Sequence, residues 1–196
     1  MKSHWSEQEL TTPHLMDAQR NFGFVEGVAL VGDCDGLVMG PARTVWCQPG
    51  ENQGVRDAIA AAQPGEVLVV AAGSTAIAMM GDNVYDLALA RGIVGIVIDG
   101  PIRDSPAIAR GPVPVACRGI DPRRPRKAAP HLLDVPVAVG GVPILPGDLV
   151  ALDAEGVVRI PSSEAEVTVA SAHAAAVAEA NERSTGNVAE AYRDAG

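Results

Sequence analysis

Two short segments constrain the fold more than any other feature of this chain. Residues 66–72 (EVLVVAA) and 93–99 (IVGIVID) are almost continuously apolar. A strand with one wetted face alternates apolar and polar residues, whereas a continuous run must be covered on both faces, as central strands of α/β sheets are. Between them, residues 82–91 read as a helix. Asp82 or Asn83 is placed to cap it, Val84, Leu87 and Ala88 are expected to face inward, and Gly92 closes it. Ahead of the first run, Val55, Ala58, Ile59 and Ala62 keep the i, i+3, i+4, i+7 spacing of a buried helical stripe, which Pro64-Gly65 stops. The helix–strand–helix–strand order over 54–99 is βαβ-like and predicts an α/β fold.

The flanks have a different texture. Residues 10–20 read as a short helix with Thr11 or Thr12 as cap and Pro13 at its first position. Residues 28–47 read as β-rich, with Asp35-Gly36 as a turn. From 111 to 160 the chain breaks into short apolar runs at 113–117, 135–139, 142–145, 149–152 and 157–160, separated by Pro, Gly and Asp. Residues 164–181 form an Ala-rich helix whose apolar face is too wide for a solvated monomer surface, so it is expected to pack at a subunit contact or to cover the sheet. Pro64-Gly65-Glu66 and Pro146-Gly147-Asp148 open two similar segments, either as a shared turn into a strand or as a duplicated element. The one basic run, 122–130 (PRRPRKAAP), reads as a surface loop, a subunit contact or an anion-attracting rim.

Composition narrows the function. With 196 residues, 47% hydrophobic and 20% charged, the chain is too apolar to be disordered and long enough for one domain over 1–196, with 1–9 and 182–196 peripheral or mobile. A net charge of −9 and only 3% aromatic residues disfavour nucleic acid as a partner. No apolar run is long enough for a membrane span, the start MKSHWSEQEL is polar rather than signal-like, and the expected compartment is the cytoplasm. Cys34, Cys47 and Cys117 are odd in number, lack CxxC spacing and read as buried small hydrophobes. His4, His14, His131 and His173 are scattered, which suggests neither a metal cluster nor a Ser-His-Asp triad, and His131 and His173 read as structural. Phosphate-cradling glycine loops, the HExxH pattern and the GxSxG elbow are all missing.

The segment 79–104 (MMGDNVYDLALARGIVGIVIDGPIRD) carries the chemistry. Gly81 to Val84 lie at a helix N-terminus, where free N–H groups and the helix dipole favour an anion such as a carboxylate. Arg103-Asp104 lies just past the end of a buried strand, where α/β sheets place their sites. One helix and one strand return the chain, so Asp82 and Arg103-Asp104 either share a pocket or are a capping residue and a local surface ion pair.

These residues also carry a resemblance. Gly81-Asp82 followed by RGIVGIVIDGPIRD at 91–104, with twenty residues between Asp82 and Arg103, resembles the family of 4-hydroxy-4-methyl-2-oxoglutarate aldolases, which includes the regulator of ribonuclease E activity A. TTPHLMDA at 11–18, GPARTV at 40–45, PGEN at 49–52, GGV at 140–142, PGD at 146–148 and GVVRIP at 156–161 extend the likeness over most of the chain. The resemblance implies a compact sandwich of mixed strands flanked by helices, of the swivelling-domain type, in a homotrimer or a hexamer of two trimers. It implies that Asp104 binds Mg²⁺ or Mn²⁺, that Arg103 contacts the keto oxygen of pyruvate and stabilises its enolate, that the amides of Gly81, Asp82, Asn83 and Val84 hold the carboxylate, and that Asp82 orients metal-bound water. The implied activity is metal-dependent cleavage of a 4-hydroxy-2-oxo acid to pyruvate and a carbonyl compound, with oxaloacetate decarboxylation as a side activity. The alternatives are a non-enzymatic regulator that binds protein, and a lyase or isomerase of a specialised pathway using the same pocket.

The lysine count bears on the route independently. A Schiff-base aldolase needs a desolvated lysine. Only Lys2, on a polar terminus, and Lys127, among arginines, are present. Two features depart from the family pattern. Ala107 stands where many members carry an acid, and Tyr85 and Asp86 lie in the helix's first turn. The family's site also takes an acid from a neighbouring subunit's C-terminal region, for which Glu164, Glu166, Glu179 and Glu182 are candidates.

Overall fold

The computed structural model describes residues 10–73, 76–127 and 130–185. Residues 1–9 and 186–196, read above as peripheral, lie outside the described residues, as does Lys2. In chain order the elements are α1 (Thr12–Ala18), β1 (Ala29–Leu30), β2 (Val38–Cys47), α2 (Gln53–Ala61), β3 (Val67–Ala71), α3 (Asp82–Arg91), β4 (Gly95–Ile102) and α4 (Ser105–Ile108). They continue with β5 (Val115–Ile120), β6 (His131–Leu133), β7 (Val137–Val139), β8 (Val142–Ile144), β9 (Leu149–Asp153), β10 (Gly156–Ile160) and α5 (Ala165–Thr185).

Eight strands form one mixed sheet in the order β1-β5-β4-β3-β2-β9-β10, with β6 also paired to β2, while β7 and β8 make a separate hairpin. The strands β2, β3, β4 and β5 run parallel, and β1, β6, β9 and β10 join antiparallel. This is the expected α/β class, a mixed sheet covered on both faces.

Period-2 geometry explains why the two apolar runs fold this way. Leu68 and Val70 of β3 and Ile96 and Ile98 of β4 point to one face, against Val55, Ala58 and Ile59 of α2 and Val84, Tyr85 and Ala88 of α3. Val67, Val69 and Val97 point to the other, against Val137, Val139 and Ile144 of the β7–β8 hairpin and Val150 and Leu152 of β9. A third cluster joins Leu10 and Leu15 to Ala151, Val158 and Ile160 and to Val169 and Ala172 of α5. The Ala-rich helix therefore covers the outer strands, and it runs to Thr185 rather than ending near 181.

Several local expectations need correction. The N-cap of α3 is Gly81, and Asp82 is the first helical residue rather than the cap. Leu87 is 44% exposed, and Tyr85 takes an inward place instead. Its hydroxyl is held at 2.9 Å from both the carbonyl and the N–H of Val113, so the phenol closes a loop that would otherwise bury two unfilled backbone groups. β4 extends to Ile102, past the end of its apolar run, because its last residues pair with β5 at Gly119 and Ile120. The three-residue β6 and the single turn α4 are too short to show a period and were not expected. Cys47 and Cys117 are buried, and burial pushes the Cys47 thiol up to about 11, whereas Cys34 is only half-buried. His131 ties β6 to α2 through Asp57, 3.0 Å away, in keeping with a structural role.

Arg43 on β2 joins distant parts of the fold, with Nε 2.8 Å from Glu66 and Nη1 2.7 Å from Asp134. Burial opposes ionisation of Glu66, but the bond from Arg43 and the Gln63 N–H outweigh it and hold the carboxyl below its ordinary 4.5. A lowered folded value means the contribution is complete above the unfolded value and is lost as pH falls through the folded one. Arg43→Met is therefore expected to destabilise the protein at neutral pH, with the gap to wild type closing as pH drops below 4.5; urea melts across that range measure it. Ile98→Ala, at a fully buried site in β4, is expected to cost about 2–5 kcal/mol in the same assay at pH 7.

Candidate active site at the junction of α3 and β4

The site is built by a short backbone pairing. Met80 and Ile102 form an isolated parallel bridge. The Arg103 N–H donates to the Met80 carbonyl at 2.9 Å, and the Met79 N–H to the Pro101 carbonyl at 2.8 Å. The chain entering α3 is thus laid beside the chain leaving β4, and Gly81, Asp82, Asn83 and Val84 meet Arg103 and Asp104 in one place. Asp82 and Arg103 line one cleft, as the first sequence reading has it, and Arg103 and Asp104 also form the local ion pair of the second.

Asp104 takes a left-handed backbone conformation (φ 56°) at the N-cap of α4. That turn brings its Oδ2 to 3.3 Å from the Asp82 N–H and 3.4 Å from Arg103 Nε. Asp82 Oδ1 accepts from the Asn83 N–H at 2.6 Å and from Asn83 Nδ2 at 2.9 Å. Carboxylate oxygens already occupy two amides of the first turn, which is the binding preference expected of a helix N-terminus. The absence of a side chain at Gly81 is essential here. A Cβ at that position would overlap Asp104 Oδ2 and stand 2.9 Å from Arg103 Nε.

Beside this turn lies a cleft of about 400 Å³. Gly81, Asp82, Asn83, Val84 and Arg103 line it, and Leu87 contributes one apolar wall. Its remaining walls come from Asn52, Arg56, Arg124, Pro125 and Lys127, none of which the sequence singled out as site residues. The basic run supplies the last three. It is pinned against 50–52 by the Asn52 N–H donating to the Arg126 carbonyl (3.1 Å), the Arg126 N–H donating to the Gly50 carbonyl (2.9 Å), and the Arg126–Glu51 ion pair (2.9 Å). Arg123 bonds to Asp121 and to the Ala76 carbonyl. Of the three readings of 122–130, the anion-attracting rim describes Arg124 and Lys127. Lys127 is exposed, which suits attraction and not amine catalysis.

Among the described residues, no group of three or more His, Cys, Asp or Glu side chains gathers as a metal cage. The acids present are Asp82, which lines the cleft, and Asp104, whose Oδ2 accepts from the Asp82 N–H. That donor set fits Mg²⁺ or Mn²⁺, hard ions bound through one or two carboxylates with the remaining positions left to water and substrate oxygens. It does not fit a structural zinc site. Glu164, Glu166, Glu179 and Glu182 lie on or just before α5, away from this chain's own cleft, and Glu179 faces His14 (3.5 Å) and Arg183 (3.1 Å).

Comparison with known proteins shows the family of the chain. Residues 12–159 match the RraA-like family, described as aldolase/RraA. A protein from Halalkalibacterium halodurans named "putative 4-hydroxy-4-methyl-2-oxoglutarate aldolase" is 43% identical over 130 residues, which are 66% of this chain and 62% of that relative. The chain thus matches somewhat less than two-thirds of that relative's length. Among solved structures, Streptomyces coelicolor RraAS2, described as an unusual member of the RNase ES inhibitor RraA protein family, superposes with a TM-score of 0.76 at 31% identity, covering 90% of this chain and 92% of that one. The RNA-processing inhibitor RraA from Thermus thermophilis gives 0.70 at 27% identity, covering 77% and 92%. The chain belongs to the RraA-like family.

Because the atoms a Cβ at Gly81 would strike belong to the side chains of Asp104 and Arg103 and not to backbone, the fold can absorb an alanine only by displacing those side chains. Gly81→Ala is expected to keep a melting temperature near wild type while weakening binding of oxalate, a planar carboxylate probe, by about tenfold or more, the scale of one charge-assisted contact. Calorimetry of both proteins measures it.

Proposed function

With membership of the RraA-like family as the premise, we propose that this protein is a divalent-metal-dependent lyase that cleaves a 4-hydroxy-2-oxo acid to pyruvate and a carbonyl compound. The observation that carries the reading is the Met80–Ile102 junction, which brings the first turn of α3 and the Arg103 guanidinium to one cleft and sets the Asp104 carboxylate 3.4 Å from Arg103 Nε.

The roles are those the family resemblance implies, and the chemistry of each group is consistent with them. The amides of Gly81 to Val84 hold the C1 carboxylate. Arg103 donates to the C2 oxygen, where negative charge grows as the C3–C4 bond breaks and its electrons pass into the enolate. The C4 hydroxyl loses its proton as the C4 carbonyl forms, and C3 of the enolate regains one to give pyruvate. Asp82 orients the water through which that proton moves. Asp104 holds Mg²⁺ or Mn²⁺, which when bound supplies Lewis-acid stabilisation of the same developing charge. Oxaloacetate decarboxylation passes through the same enolate and is the expected side activity.

The partner is a small 2-oxo acid. The assembly we propose is a homotrimer, or a hexamer of two trimers, in which an acid of a neighbour's C-terminal region completes the site. Trp46 and Leu132, cross-strand neighbours on β2 and β6 left 40% and 55% exposed, support a subunit contact. The likeness to ribonuclease-inhibitor structures favours a second reading, a regulator that acts by binding protein. The gathered Asp82, Arg103 and Asp104 set weighs against a role in binding alone.

Arg103 separates the two readings. Its guanidinium matters more in the transition state than in substrate binding, so Arg103→Ala is expected to lower kcat by about 10² or more. Arg103→Lys is expected to rescue little, because an ammonium lacks the planar fork. Asp104→Ala is expected to abolish Mg²⁺-dependent turnover with the fold intact. The measurement is pyruvate release from 4-hydroxy-2-oxo acids and from oxaloacetate, with and without Mg²⁺. Turnover by wild type together with full activity of Arg103→Ala overturns the mechanism, and no turnover by wild type favours the regulator.

A further inference from the structure

We infer that Glu51 and Asp121 are positioning residues of the cleft: each holds one arginine of the basic loop in place, so that the loop's other two cations, Arg124 and Lys127, face an anion bound there. That role rests on the proposed function only in taking the cleft as the place where an anionic ligand binds.

The loop carries two kinds of cation. Arg124 and Lys127 line the cleft and form no ion pair among the described residues. Arg123 and Arg126 do not line it, and each is neutralised by an acid. Arg123 folds back on Asp121, with Nη2 2.7 Å from Oδ2 and Nε 3.0 Å from Oδ1, and Nη2 also donates to the Ala76 carbonyl. The Asp121 N–H donates in turn to the Ile102 carbonyl at 2.9 Å. One end of the loop is thereby fixed to the end of β4, next to Arg103.

At the other end, Arg126 Nε lies 2.9 Å from Glu51 Oε1. Glu51 is only 8% exposed, whereas the Arg126 side chain is 79% exposed. A carboxylate is costly to bury unless it is paired, so the buried acid anchors the exposed arginine and not the reverse. The backbone bonds of Arg126 to Gly50 and Asn52 set the loop against the start of α2 at the same point. These two tethers leave little freedom to Arg124, which lies between them, and to Lys127, which follows directly. Exposed charges are screened beyond about 8 Å. A cation on a long side chain therefore acts on a bound anion only while its backbone is held near the site.

Removing a negative charge separates this role from plain electrostatics, because the two predict opposite signs. Glu51→Gln and Asp121→Asn each leave the rim more positive by one charge. Acids acting through charge alone would make both variants bind an anion more tightly. As positioning residues, their loss frees the loop. Both variants are then expected to bind oxalate about threefold or more weakly than wild type by calorimetry at low ionic strength, the scale of a partly exposed ion pair. In an Arg124→Gln/Lys127→Gln background the same two changes are expected to weaken oxalate no further, since the groups they position are gone. Tighter or unchanged binding by the folded variants overturns the inference, and so does a weakening that persists in that background. Asp121 lies on the loop and not in the core, so its variant keeps the test decisive if Glu51→Gln fails to fold. Turnover keeps this failure apart from that of the lyase reading. Glu51→Gln is expected to raise KM for pyruvate release about threefold with kcat near wild type. Pyruvate release with KM and oxalate affinity both unchanged overturns the positioning role and leaves the lyase standing. Weaker oxalate binding by the variants, without any pyruvate release by wild type, sinks the lyase and leaves the positioning role standing.

Discussion

Everything in this fold depends on burying β4 along its whole length. All eight of its residues are buried, which requires a layer on each face, and the chain supplies α2 and α3 on one side and the β7–β8 hairpin with β9 on the other. A strand so confined cannot shift register without turning its apolar side chains toward the wrong layer. Its end at Ile102 is therefore a fixed point, and the backbone bonds from Arg103 to Met80 and from Met79 to Pro101 pass that fixity to the start of α3. The candidate site inherits its precision from the core rather than from loops that must order themselves on binding.

Much of this was legible in the sequence, for reasons that can be named. β3, α3 and β4 show themselves because burial on two faces and on one helical stripe leave different periods. Asp82, Arg103 and Asp104 were legible because one helix and one strand of known rise separate them, and because the motif resembles a known family. Asn52, Arg56, Arg124 and Lys127 were not. They reach the cleft through a pairing of 50–52 with 126 that no periodicity announces.

The smaller errors have physical causes as well. Aspartate favours the N-cap position, but the cap here is Gly81, where the close approach of Asp104 and Arg103 leaves no room for a side chain, and the helix starts at Asp82, one residue earlier than an Asp82 cap would place it. Leu87 fits the apolar stripe of α3 and yet faces the cleft, because Tyr85 reaches across to Val113 and fills the inward space. Such choices are settled by tertiary contacts, and a local pattern carries no record of them.

The cationic rim has a consequence for encounter. The chain is strongly acidic overall, yet Arg56, Arg103, Arg124 and Lys127 are gathered around one concave opening. Field lines from such an arrangement converge on the cleft, while the surrounding surface repels anions. Small anions are thus guided toward the opening before any contact forms. Because the range of that guidance is set by the screening length, about 8 Å at physiological ionic strength, the protein captures its ligand fastest in dilute salt and loses this advantage as counterions accumulate at the mouth.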